Sequence, residues 1–223
     1  MSEYFEHQLD EFKQKLLAMA SHAESAVSRA LIAFKERDAE SALKVIEQDR
    51  ILDHFEVEND EIAISLLAKA PLASDLRLIT VGMRISHDLE RVGDQATGIA
   101  RRAIEQAKEP PIDPQIDMSR LAGLALRMLD DALESFVGRQ PARARAIIPR
   151  DKEVDALNRQ ANLKLINWMI EHPEAIRRAL RVIGVCKALE RIADHATNIA
   201  EEVVYLYEGH DIRHSHEPVL VES

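Results

Sequence analysis

Apolar residues recur at three- and four-residue steps along almost the whole chain, the spacing of one face of an α-helix rather than the alternation of a strand. The pattern predicts a first helix over residues 4–36. A second, capped by Asp38, runs to about Lys69, where Pro71 ends the hairpin. A third, capped by Ser74, runs to about Lys108. Three prolines in "EPPIDPQ", Glu109 to Gln115, then mark a linker.

After the linker the pattern restarts. Asp113-Pro114 supplies a cap and a proline at the first helical position. A fourth helix then reaches Phe136, with Gly138 as its C-terminal residue. A fifth runs from Pro141 to Glu171, kinked or broken by Pro149, and a sixth from Pro173 to Glu208, ended by Gly209. The expected architecture is all-α: two tandem antiparallel three-helix bundles over residues 1–109 and 116–209, a linker at 110–115 and a polar tail at 210–223.

The two halves are copies. "LERVGDQATGIARR" at 89–102 and "LERIADHATNIAEE" at 189–202 agree at Leu, Glu, Arg, Asp, Ala, Thr, Ile and Ala. "ALIAF" at 30–34 matches "ALESF" at 132–136, and "DRILD" at 49–53 matches "DKEVD" at 151–155. With the proline breaks at 71 and 173, these landmarks indicate an internal duplication. Packing explains repeated apolar positions but gives no reason to repeat charged ones.

Those charged positions form rows. Glu90 and Asp94, and Glu190 and Asp194, are four apart and lie off the apolar stripe of their helices. Asp49, Asp53, Glu56 and Asp60 make an acidic row on the second helix. On the fifth, Asp151, Asp155, Asn158 and Asn162 repeat it with two amides. The turns lie midway between the rows, so each hairpin brings Asp49/Asp53 level with Glu90/Asp94, and Asp151/Asp155 level with Glu190/Asp194. With 39 acids in 223 residues, about seven i,i+4 acidic pairs arise by chance, so the matched placement is what carries the signal. Four converging carboxylates repel one another unless a cation or basic side chains neutralise them. A multivalent ion such as Mg²⁺, Mn²⁺, Ca²⁺ or iron suits oxygen ligands. The alternative is a solvated face in which Arg91 and Arg191 pair with their neighbours. No histidine has a glutamate three residues before it, which argues against a ferritin-like di-iron oxidase. His195 reads as a lone surface histidine, and the matched Arg77 and Arg177 as partners of acids on a neighbouring helix or as anion contacts.

Composition narrows the classes. The formal charge of −10 argues against nucleic acid and anionic lipid as main partners. No apolar run approaches the roughly 18 residues of a membrane span. The acidic N-terminus lacks the core of a signal peptide, and a single cysteine, Cys186, permits no internal disulfide, so a reducing cytoplasm is expected. No nucleophile motif, Gly-rich phosphate loop or Cys-x-x-Cys is present.

The doubled "LER(I/V)xD" and the closing "VVYLYEGHDIRH" resemble the PhoU family over about residues 5–214. That resemblance implies two bundles related by a pseudo-twofold. It implies multinuclear iron or zinc clusters at Asp49/Asp53 with Glu90/Asp94 and at Asp151/Asp155 with Glu190/Asp194. It also implies a cytosolic regulator, dimeric in much of the family, that restrains phosphate uptake and the phosphate-starvation response. Its partners would be the ATPase subunit of the phosphate ABC transporter and the associated sensor histidine kinase. A metal-storage protein or metal-dependent enzyme using the same carboxylates is the competing expectation. The chain departs from the family pattern at Ala193 (usually Gly), Gln95 (commonly His), Gly98 (commonly Asn) and Arg101-Arg102, where the second half has Glu201-Glu202. The first site is therefore expected to be weaker than the second or differently populated.

Overall fold

A computed structural model describes residues 3–69, 73–114, 116–209 and 211–212. Among these, the chain is α-helical: α1 (Glu3–Glu36), α2 (Ala39–Gln48), α3 (Arg50–Leu67), α4 (Ala73–Ala107), α5 (Met118–Val137), α6 (Pro141–Ile147), α7 (Asp151–Glu171) and α8 (Ile176–Glu208). Short 3-10 turns at Ile148–Arg150 and Pro173–Ala175 precede α7 and α8. Helices α1, α2–α3 and α4 form the first bundle, and α5, α6–α7 and α8 the second. The hairpin end expected at Pro71 and most of the tail, including His210, His214 and His216, lie outside the described residues.

Local chemistry explains most boundaries. Asp38 caps α2, its Oδ1 accepting from the amides of Glu40 and Ser41 at 3.0 Å. Gly209 ends α8 with φ of 70°, the left-handed conformation glycine adopts freely. Three boundaries differ from expectation. The second helix is not continuous: it breaks at Asp49, whose amide bonds Ile46 rather than the residue four back. No proline marks this break, yet it falls at the position that matches the one after Pro149 in the second repeat, and α2 packs on α1 and α4. The fourth helix starts at Met118, capped by Asp117 through the Arg120 amide at 3.0 Å, and not at Asp113-Pro114. The intervening chain is used instead to lay Ile112 and Ile116 against the core. At the end of α5, Gly138 keeps right-handed geometry, and Arg139, like Arg37 after α1, takes the positive φ.

Helices α4 and α8 are the spine, packed on each other and each on its own bundle. They run antiparallel: Arg84 meets Glu202, Asp88 meets Asn198, Arg102 lies on Gly184, and Glu105 meets Arg181. The crossing is therefore centred on Gly93 and Ala193, equivalent positions of the two repeats, as a pseudo-twofold requires. A Cβ at Gly93 would overlap Leu52. The second repeat carries Ala193 there and the smaller Val154 in place of Leu52, both fully buried. Cys186 is a buried small hydrophobe whose thiol burial pushes up to about 11.

The repeats also differ in length, because α5 lacks a counterpart of the first turns of α1. Phe12 of α1 is fully buried and its ring occupies the space beside Gly82, where a Cβ would collide with it. At the equivalent position of the second repeat Val182 is buried. Gly82→Val is expected to cost about 1–3 kcal/mol through overpacking against the buried Phe12 ring. Urea denaturation checks this; an unchanged midpoint would mean that Phe12 can swing aside.

Candidate metal centre

The acidic rows are positioned by the hairpins α3–α4 and α7–α8. Asp49 sits at the break before α3, and Asp151 is the first residue of α7, so both start a helix where a carboxylate is favoured by the helix dipole. In the first repeat the structure brings Asp49 together with Asp53 and Asp94. Burial, with Asp53 and Asp94 adding repulsion, pushes the Asp49 carboxyl above its ordinary range. Glu90 lies one turn before Asp94 on α4; burial raises it, and Asp94 and Glu56 raise it further. Arg101 lies close enough to act on Asp49 electrostatically.

In the second repeat Asp155, Glu190 and Asp194 lie close enough to Asp151 to act on it electrostatically, although their ligand atoms do not gather within 4.8 Å of one another. Burial and then Asp194, Asp155, Glu190 and Glu201 push the Asp151 carboxyl up to about 6. Asp194 is raised by partial desolvation and by Glu190. Asp151 Oδ1 is buried and has no hydrogen-bond partner, an unsatisfied acceptor facing a concentration of negative charge. This donor set fits a hard cation, which would satisfy that oxygen and the repulsion together.

Bases neutralise part of each row. Arg91 reaches Asp94 at 3.2 Å and Glu90 at 3.5 Å, an exposed pairing worth little. Around Glu190 the neutralisation is tighter: Lys187 Nζ and Asn158 Nδ2 both donate to its Oε2, at 2.7 and 2.5 Å.

Sequence reasoning missed one member. Glu56, His87 and Glu90 present ligand atoms that all lie within 4.8 Å of one another, and His87 Nδ1 is 3.0 Å from Glu56 Oε1. The signal was present as His87-x-x-Glu90, the reverse of the pattern sought; three-residue spacing puts both on one helix face. A nitrogen donor beside two carboxylates admits iron or zinc as readily as a harder ion. The equivalent positions of the second repeat are Asn158, Lys187 and Glu190, so this set exists in the first repeat alone.

Two further expectations are corrected. His195 is not a lone surface residue: it is mostly enclosed and bonds Asp88 of α4 at 2.8 Å, with Asn198 adding a second bond to the same oxygen. Its role is to tie the repeats together where α4 and α8 cross. Arg77 and Arg177 form no salt bridge among the described residues: Arg77 lies against Gly209, and Arg177 is exposed and acts on Glu109 only at a distance. Trp168 is half-buried and stacked on His172 at 4.3 Å.

The fold and the doubled rows define a class: tandem three-helix repeats, each carrying a carboxylate cluster on its second hairpin. The model of the PhoU domain family matches residues 16–103 and again 118–203. The phosphate-specific transport system accessory protein PhoU homolog of Pseudomonas putida is 38% identical over 96% of this chain and 84% of its own length. The crystal structure of PhoU from Pseudomonas aeruginosa superposes with a TM-score of 0.88 at 36% identity, over 92% of this chain and 100% of that one. The phosphate transport system regulatory protein PhoU from Streptococcus pneumoniae gives 0.85 at 29% identity, over 93% of this chain and 99% of that one. The chain belongs to the PhoU family. No helix among the described residues is long and apolar enough to cross a membrane.

Proposed function

We propose that this protein is a negative regulator of phosphate uptake and of the phosphate-starvation response, acting as an adaptor and not as an enzyme. When phosphate is plentiful it docks, from the cytoplasm at the inner face of the membrane, on the ATPase subunit of the phosphate ABC transporter and on the associated sensor histidine kinase. It works as a homodimer. The observation that carries this reading is family membership over nearly the whole chain, among relatives named as accessory proteins of phosphate transport.

Multivalent ions, iron or zinc foremost and Mg²⁺, Mn²⁺ or Ca²⁺ by the same oxygen chemistry, are held by Asp49, Asp53, Glu90 and Asp94 in the first repeat. Asp151, Asp155, Glu190 and Asp194 hold them in the second. Bound metal supplies the positive charge that lets these carboxylates stay ionised side by side. The orphaned Asp151 oxygen supports this. The chain's own part is to hold the rows level across each hairpin and so give the docking face a fixed shape.

The test is phosphatase reporter activity in a strain lacking the gene, grown in excess phosphate. Activity is expected to be high and to fall when the gene is restored. Activity that stays low throughout, with no second copy present, would remove the regulatory reading.

A further inference from the structure

We propose that the cleft between the C-terminal half of α4 and the N-terminal half of α8 binds a multiply charged phosphoryl oxyanion. This cleft, of about 510 Å³, is lined by Arg101, Arg102, Arg177 and Arg181, with Glu105 as its one acid. Such a concentration of cations stands out in a chain of net charge −10. It is not a by-product of the duplication, because the equivalents of Arg101 and Arg102 are Glu201 and Glu202.

The four guanidiniums divide into two held and two free. Arg102 Nη1 donates to the Gly98 carbonyl at 2.7 Å, and the same side chain lies flat on α8 at Gly184, where any Cβ would overlap it. Arg181 is fixed by Glu105 at 3.1 Å and Glu109 at 2.6 Å, and its Nη1 has no acceptor. Arg101 and Arg177 are exposed and make no hydrogen bond or ion pair among the described residues. Glu105 and Glu109 are both spent on Arg181, which leaves Arg101, Arg102 and Arg177 beside it without a carboxylate in contact among the described residues, an excess of positive charge that an anion would relieve. A planar guanidinium offers two parallel N–H groups at the spacing of two phosphoryl oxygens, and several such forks suit a dianion or higher charge better than a monovalent one. Two sources share this chemistry: inorganic orthophosphate, and the phosphate chain of a polyphosphate or nucleotide.

The cleft's lining includes none of the carboxylates assigned to metal; Arg101 also acts on Asp49, but Arg177 does not, so the Arg177 variant keeps the two readings separable. The test is calorimetric titration of the whole protein, dialysed free of metal and chelator, with orthophosphate, tripolyphosphate and ATP without Mg²⁺. Saturable binding at one site per chain is expected. Arg101→Ala and Arg177→Ala alter exposed side chains and should leave folding, checked by circular dichroism, unchanged. Each is expected to weaken binding about tenfold, the usual worth of one charge-assisted hydrogen bond. Lys152→Ala, a charge removed elsewhere, should leave it alone. Orthophosphate binding as tightly as tripolyphosphate identifies the ion; tripolyphosphate and ATP binding more than tenfold tighter identify a phosphate chain. The proposal is overturned by absence of saturable binding or by equal affinity in the arginine variants.

Discussion

Asp151→Asn is expected to raise the melting temperature of the metal-free protein and to abolish most of the stabilisation that added metal gives. Burial and four acidic neighbours raise the carboxyl's pKa from 3.8 to about 6. A carboxyl that holds its proton more tightly folded than unfolded disfavours its own ionised form in the fold. The resulting cost is absent below about pH 4, grows as pH rises through 4 to 6, and is fully present at pH 7. Part of that cost is screened by solvent, leaving about 1 kcal/mol, or 2–4 °C for a chain of this size. Asparagine also gives up a favourable charge at the start of α7, worth a few tenths of a kcal/mol at this exposure, so relief of repulsion wins. Added Mn²⁺ reverses the order, because only the folded wild type with its carboxylates intact gains binding energy. Thermal melts with chelator and with Mn²⁺, at pH 5 and pH 7.5, check all three statements. A variant less stable than wild type in chelator at pH 7.5 would show that Asp151 is already neutralised within the protein.

Much of this was legible in the sequence, and the limits are physical. The hairpins could be read because three-and-four periodicity survives along every helix and prolines or caps interrupt it. The convergence of Asp49 with Asp94 and of Asp151 with Asp194 could be read because an antiparallel hairpin makes equal distances from the turn equal heights. What could not be read depends on packing between elements. The break at Asp49 has no proline, and the choice of Asp117 over Asp113 as cap follows from where Ile112 and Ile116 find the core. The pairing of buried Glu202 with Arg84, both nitrogen–oxygen contacts at 3.0 Å, joins residues 118 apart. That pairing exists only once α4 and α8 cross at Gly93 and Ala193. The arginine cleft belongs to the same seam: Arg177 and Arg101-Arg102 stood out in the sequence, but not that α4 and α8 bring them together.

Exchanging three-residue sets between the repeats should exchange their metal affinities. Asn158→Glu with Lys187→His gives the second repeat the Glu56–His87–Glu90 set; Glu56→Asn with His87→Lys removes it from the first. In the native second repeat one oxygen of Glu190 already accepts from both Lys187 and Asn158, so an ion there must displace an ammonium and an amide. In the first repeat the corresponding atoms are a carboxylate and an imidazole, themselves ligands. Replacing a cation by a neutral nitrogen donor and an amide by a carboxylate lowers the local charge by two and adds two ligands. A gain of one Zn²⁺ per chain is expected, with affinity at least about tenfold above the native second site. The reverse pair should lose one ion per chain. Zinc titration against a chromophoric chelator at pH 7.5 measures both. The two double variants bear on different repeats, so misfolding of one leaves the other informative. Unchanged stoichiometry in both would mean that Glu56, His87 and Glu90 form a hydrogen-bonded face, and that any metal this protein holds sits on the aspartate pairs alone.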